Sequence, residues 1–197
     1  MILDPNKSYT FSEIFELTAT IEEVLAEFGY SYHTEKLDLR QLPVDKETID
    51  RLQAEFYRRL PHIVFRTETA RREFIVSDIL SELIDHVPLK IEPEYPTITK
   101  RLRGTIDYLL HGAQRVIIIE AKNDEMERGF RQLAVELIAV AEHLRLNQLY
   151  GAVTTGEIWR FGLLDRDKQR LTRDLNSFSV PTGLHDLVDV LAGLTSV

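Results

Sequence analysis

Asp107, Glu120 and Lys122 are the residues whose types and spacing carry chemistry. Asp107 stands in the stretch Gly104-Thr105-Ile106-Asp107-Tyr108, and Glu120-Ala121-Lys122 follows the apolar run Val116-Ile117-Ile118-Ile119. Side chains alternate faces along a strand, so Glu120 and Lys122 point one way and Ala121 the other. Two carboxylates and one amine in this order suit a metal-dependent hydrolase. Magnesium binds oxygen and is commonly held by one or two carboxylates, waters and a substrate phosphate. It polarises the phosphate and lowers the pKa of a coordinated water. A lysine beside such a cation is disfavoured in its charged form, which points to a role near that water.

These residues need two adjacent strands and a helix behind them, and the surrounding sequence predicts both. Strands are expected over residues 89–95, 103–110 and 115–121, with a hairpin-like connection at His111-Gly112-Ala113-Gln114. The third strand is apolar at consecutive positions, as a central strand covered on both faces would be. Met126, Phe130, Leu133, Leu137, Val140 and Leu144 recur at helical spacing, so 126–146 reads as a long helix. A strand over 149–154 then implies a right-handed parallel crossover. A hairpin follows, with strands over 158–164 and 170–178 turning at Asp165-Arg166-Asp167, and a closing helix over 184–194.

Upstream, Thr20-Ile21-Glu22-Glu23 has capping-box order and Gly29 a helix stop, giving a short helix over 21–28. A strand over 30–39, a helix over 45–60 closed by Pro61, and a longer helix over 67–86 closed by Pro88 complete the pattern. The first seventeen residues contain apolar side chains but define no element. The fold class is therefore α/β, with a mixed central β-sheet flanked by helices. At 197 residues and 44% hydrophobic content, one domain is expected. Within it, 1–66 form an amino-terminal helical and strand extension, 67–178 the core, and 179–197 the closing helix.

Asp107 on one strand, Glu120-Ala121-Lys122 ending the next, and Gln132 in the following helix resemble the PD-(D/E)XK nuclease superfamily, the restriction-endonuclease-like fold. The resemblance spans about residues 67–155, and Ile106 stands where the motif often has proline. It implies that Asp107 and Glu120 hold magnesium, with manganese as a substitute, and that the Ala121 backbone carbonyl is a further ligand. It implies that Lys122 orients or deprotonates the attacking water, or stabilises charge on the phosphate. Gln132 would support the site or the DNA. Many members add a glutamate from the preceding helix, and Glu73 lies closer to the apolar stripe than Glu82. Thr154-Thr155-Gly156 with Trp159-Arg160-Phe161 also resembles a turn and hairpin found in prokaryotic relatives. DNA is then the expected substrate, and a homodimer would supply two sites for two strands.

Composition excludes several alternatives. Without cysteine there is no disulfide, thiolate metal site or cysteine nucleophile, and no two histidines have the spacing of a zinc hydrolase. No apolar run reaches membrane-spanning length and no leader pattern begins the chain, so a soluble cytoplasmic protein is expected. A net charge of −8 argues against a protein that coats nucleic acid. It lends weight to an alternative, a nuclease-like binding module with slow or absent catalysis. Arginines 58, 59, 66, 71, 72, 101 and 103, with Lys100, are a local exception that could contact phosphate. Glu92 and Glu94 read as solvated edge charges, Trp159 and Tyr108 as packing residues, and His111 as an exposed turn residue. Gly104 fits either a close backbone approach to a ligand or a bulge.

Overall fold

Residues 2–112, 116–122 and 125–196 are described by a computed structural model, and their order begins with a short strand and two short helices. Strand β1 (Tyr9–Thr10) leads into α1 (Phe11–Phe15), and α2 (Ile21–Ala26) follows. Each helix is set by a capping box. Thr10 Oγ1 accepts from Glu13 N at 3.1 Å while Thr10 N donates to Glu13 Oε2 at 2.7 Å, and Thr20 and Glu23 repeat the exchange at 3.3 and 2.8 Å. Gly29, at φ 80°, supplies the left-handed residue past the end of α2.

Strand β2 (Ser31–Glu35) is shorter than the residues 30–39 expected. Helix α3 (Lys46–Arg59) is capped by Asp45, buries Ile49 and Phe56, and runs into a 3-10 turn, Leu60–His62, containing Pro61. The next helix departs from the expected regular form. It consists of α4 (Glu68–Arg71), a π-helical turn (Arg72–Val76) and α5 (Ser77–His86). The wide turn changes the helical phase, so the buried stripe is Ile75, Val76, Ile79, Leu80 and Leu83, while Phe74 and Ile84 are exposed.

Strands β3 (Lys90–Ile98), β4 (Leu102–His111) and β5 (Val116–Ala121) are antiparallel neighbours, with β4 in the middle. The connection expected at 111–114 lies partly outside the described residues. Helix α6 (Met126–His143) then crosses to β6 (Gln148–Thr154), which runs parallel to β5. Strands β7 (Ile158–Asp165), β8 (Arg170–Asp174) and β9 (Phe178–Ser179) and helix α7 (Leu184–Thr195) end the chain. Among the described residues, nine strands form one mixed sheet in the order β1-β4-β5-β6-β7-β8-β2, with β3 also on β4 and β9 on β7. The fold is α/β, with a mixed parallel and antiparallel central sheet flanked by helices. No helix among the described residues is long and apolar enough to cross a membrane.

Each face of the sheet has its own core. Ile117, Ile119, Ala152, Trp159 and Phe161 pack with α3, α5 and α7, whereas Ile118, Val153 and Leu164 pack with α1, α2 and α6. Alternation from Ile118 therefore carries Glu120 and Lys122 toward α6. Arg131 of α6 is buried and donates to the carbonyls of Ile14, Phe15 and Ala19 at 3.1, 2.5 and 2.6 Å. The bonds to Ile14 and Phe15 satisfy acceptors at the carboxyl end of α1 and place a cation at its negative dipole end, and the bond to Ala19 holds the link to α2. They fix α1 against the helix that backs Glu120.

Gly104 is explained by that same segment. A Cβ at Gly104 would lie 2.4 Å from Phe11 Cδ2, so the glycine makes room for the Phe11 ring rather than for a ligand. Gly104→Ala should cost about 1–3 kcal/mol by overpacking. Urea denaturation measures this, and unchanged stability would show that Phe11 moves aside freely.

Candidate active site

Asp107 lies where two strands part. The β4–β5 ladder runs from His111↔Val116 to Tyr108↔Ile119, and that pair is its last toward Asp107. Two residues past Ile119, Ala121 N donates to Asp107 Oδ2 at 2.8 Å, so a side chain takes a donor that a continuing ladder would give to the main chain. On its other edge β5 stays paired with β6 through Ala121↔Thr154, and Lys122 N donates to Thr154 O at 2.7 Å. Strand β5 is thus held by backbone on one side and by the Asp107 carboxylate on the other. This bond joins the first acid to the residue between Glu120 and Lys122.

Glu120 is 3% exposed, and one of its oxygens takes both of its side-chain donors. Lys122 Nζ and Gln132 Nε2 both donate to Oε1 at 2.6 Å, whereas Oε2 is buried with no partner among the described residues. Burial, reinforced by the Asp107 charge, pushes the Glu120 pKa up to about 7 despite the opposing pull of Lys122. Lys122 is 6% exposed and confined by α6, since a Cβ at Gly129 would lie 2.7 Å from its Cγ. Burial works against its charge, but Glu120, Glu68 and Glu136 outweigh burial and hold its pKa above the usual value. The neutral form expected beside a cation is therefore opposed by these acids. Phe15 of α1 lies 5.1 Å below the ammonium.

Gln132 is placed by Glu136, for which the sequence carries no motif. Its Nε2 also donates to Glu136 Oε1 at 2.7 Å, one helical turn on, so two carboxylates fix the amide. Glu136 is fully buried and its Oε2 has no partner among the described residues. Burial and then the Glu120 charge raise its pKa well above the ordinary value. The i,i+4 spacing from Gln132 was the available signal, because it puts both side chains on one helix face.

The preceding helix contributes different residues from the one expected. Glu73 is exposed and makes no hydrogen bond or ion pair among the described residues, whereas Arg72 and Glu68 reach the site. Arg72 Nη1 lies 3.1 Å from Asp107 Oδ1, its guanidinium is 5.2 Å from the Tyr108 ring, and Glu68 Oε2 lies 4.0 Å from Lys122 Nζ. The π-turn beginning at Arg72 makes a regular helical wheel a poor guide here. Glu94, read as a solvated edge charge, faces Arg72 at 3.7 Å, and Glu92 pairs with His111 and Lys90, each at 3.0 Å. Trp159 is fully buried and donates from Nε1 to Gly156 O at 2.9 Å, as a packing residue should.

The donor set suits a hard cation with a partial protein shell. No three His, Cys, Asp or Glu side chains are grouped for a metal among the described residues. Asp107, Glu120 and the Ala121 carbonyl would have to be completed by water and substrate, as magnesium commonly is. The bare, buried Oε2 of Glu120 is an acceptor that a cation would satisfy. No protein-family model and no curated protein matches the chain.

Burial of Glu120 and Glu136 sets a pH dependence. Unfolded glutamates titrate near ~4.3, so above that pH the unfolded chain releases protons that the folded chain retains. Stability in chelator is therefore expected to fall as pH rises from about 4.5 through 7 and beyond. Glu136→Gln should flatten the fall, melting at least about 2–4 °C above the native chain at pH 8, with the gap closing near pH 4.5. Parallel melting curves across pH would contradict this account.

Proposed function

We propose that the chain is a magnesium-dependent nuclease of the PD-(D/E)XK type that hydrolyses phosphodiester bonds of DNA. The observation that carries this reading is the bond from Ala121 N to Asp107, which brings the first acid to the Glu120-Ala121-Lys122 strand end with Glu120 Oε2 still bare. Asp107, Glu120 and the Ala121 carbonyl would hold the cation, and manganese would substitute. When bound, magnesium polarises the phosphate, acidifies a water and stabilises the leaving oxygen.

The chain's own residues do the positioning. Gln132 and Lys122 clamp Glu120 Oε1 from two sides and leave its other oxygen for the cation. Lys122 brings an ammonium to the edge of this cluster, where it orients the attacking water and offsets charge growing on the phosphate. Its carboxylate neighbours keep that ammonium charged in the apo protein, which favours the electrostatic role over proton abstraction. Such a protein would act on DNA in the cytoplasm, and two copies together would address two strands.

A second reading, a nuclease-like binding module with little or no turnover, is favoured by one contact. Arg72 occupies the Asp107 oxygen that Ala121 N leaves open. Calorimetry with magnesium and manganese should show binding to the native chain that is lost in Asp107→Asn and Glu120→Gln; equal binding in all three removes the metal site. Lys122→Ala should keep metal affinity while cleavage of plasmid or branched DNA falls by about 10²–10⁴-fold. Native protein that binds manganese yet leaves linear, supercoiled, single-stranded and branched substrates intact would make the binding module the better reading.

A further inference from the structure

We propose that Arg72 contacts substrate, exchanging Asp107 for the phosphate of a bound DNA strand once a divalent cation occupies the acids. This inference rests on the nuclease reading and adds a residue to it. Arg72 opens the π-turn, and such interruptions of a helix are frequent at functional sites. Its guanidinium lies between two carboxylates, with Nη1 3.1 Å from Asp107 and Nη2 3.7 Å from Glu94, and it sits over the Tyr108 ring at 5.2 Å.

The two acids are opposite each other by register. The β3–β4 ladder pairs Pro93 with Tyr108 and Tyr95 with Ile106, which leaves Glu94 across from Asp107. Glu94 takes φ 53°, a left-handed conformation uncommon for a residue with a side chain. Arg72 is therefore held by a partner on each side and by an aromatic face, and it can surrender Asp107 without being left unpaired. Glu94 is largely exposed, so this side of the guanidinium opens to solvent, the direction from which a polynucleotide would arrive.

Charge dictates the exchange. A cation on Asp107 repels the guanidinium that now neutralises that carboxylate. A phosphodiester arriving with the cation restores negative charge in the same space. Released from Asp107, Nη1 becomes a charge-assisted donor for a phosphate oxygen while Nη2 stays beside Glu94. The Arg72 to Asp107 pair thus keeps the acids neutralised in the apo protein and supplies a phosphate contact in the loaded one. In a chain of net charge −8, one such placed cation matters more than a basic face.

The test uses the full chain with manganese for metal affinity, and with calcium and a fluorescein-labelled DNA duplex for binding. Arg72→Ala should hold manganese as tightly as the native chain or up to about tenfold tighter, because the competing cation is gone. Its duplex affinity should fall about 10–100-fold, as expected for loss of a charge-assisted bond to phosphate. The slope of log affinity against log salt should drop by about 0.9. Arg72→Lys, which keeps the charge and so guards against a folding artefact, should restore the salt slope but only part of the affinity. Native manganese binding with unchanged duplex affinity and slope in Arg72→Ala overturns this proposal alone. So does parallel loss of manganese and duplex affinity in that variant, which would make Arg72 a support for Asp107. If the native chain binds no manganese, or Asp107→Asn binds it equally well, the nuclease reading and this proposal fall together.

Discussion

The hydrogen bond from Ala121 N to the Asp107 carboxylate is the constraint on which the site depends. A strand end in a mixed sheet normally spends its donors on the neighbouring backbone. Here the ladder between β4 and β5 ends at Tyr108, one residue short of Asp107, and the acid takes up a donor that the ladder leaves. The opening that results is stable because β6 continues to hold the other edge of β5. Both charged residues flanking Ala121 then face α6, where Gln132 and Glu136 meet Glu120 among apolar neighbours that include Phe130, Leu133 and Leu137.

Burial makes this arrangement costly and therefore specific. An unpartnered carboxylate oxygen in an apolar setting is a penalty of about 1–3 kcal/mol or more, and both Glu120 and Glu136 carry one. Neither is needed for a good hydrophobic core. A purely structural chain would do better with apolar residues at both positions, since a partly satisfied buried network is worse than none. Two buried carboxyls, each with an unpartnered oxygen, beside a buried lysine are the physical ground for treating the cluster as a candidate site.

Much of this was legible in the sequence wherever the cause is local. Period-two alternation put Glu120 and Lys122 on one face, and period 3.6 brought out α6 with Gln132 on it. Thr20 with Glu23 announced a helix start through their mutual capping bonds. What stayed hidden depends on distant partners or on irregular backbone. A regular helical wheel favours Glu73, whereas Arg72 at the start of the π-turn and Glu68 of α4 are the residues that reach the site. Gly104 fits a close approach to a ligand or a bulge equally well in sequence, because nothing nearby names Phe11 as the group that fills the space. Strand β2 was expected, but its parallel pairing with β8 has no local sign at all.

That pairing also bears on how the chain reaches its fold. The first 35 residues supply both terminal strands of the main path: β1 pairs with Leu102 and Arg103, and β2 with the run from Arg170 to Asp174. Contacts so distant in sequence form slowly, because loop closure must precede any gain from pairing. During synthesis β2 emerges well before β8, the strand it pairs with. Until then the sheet has open edges, and unpaired edges are where chains join to one another. Part of the segment that looks like an extension in sequence is, in folding, the cover of the β8 edge.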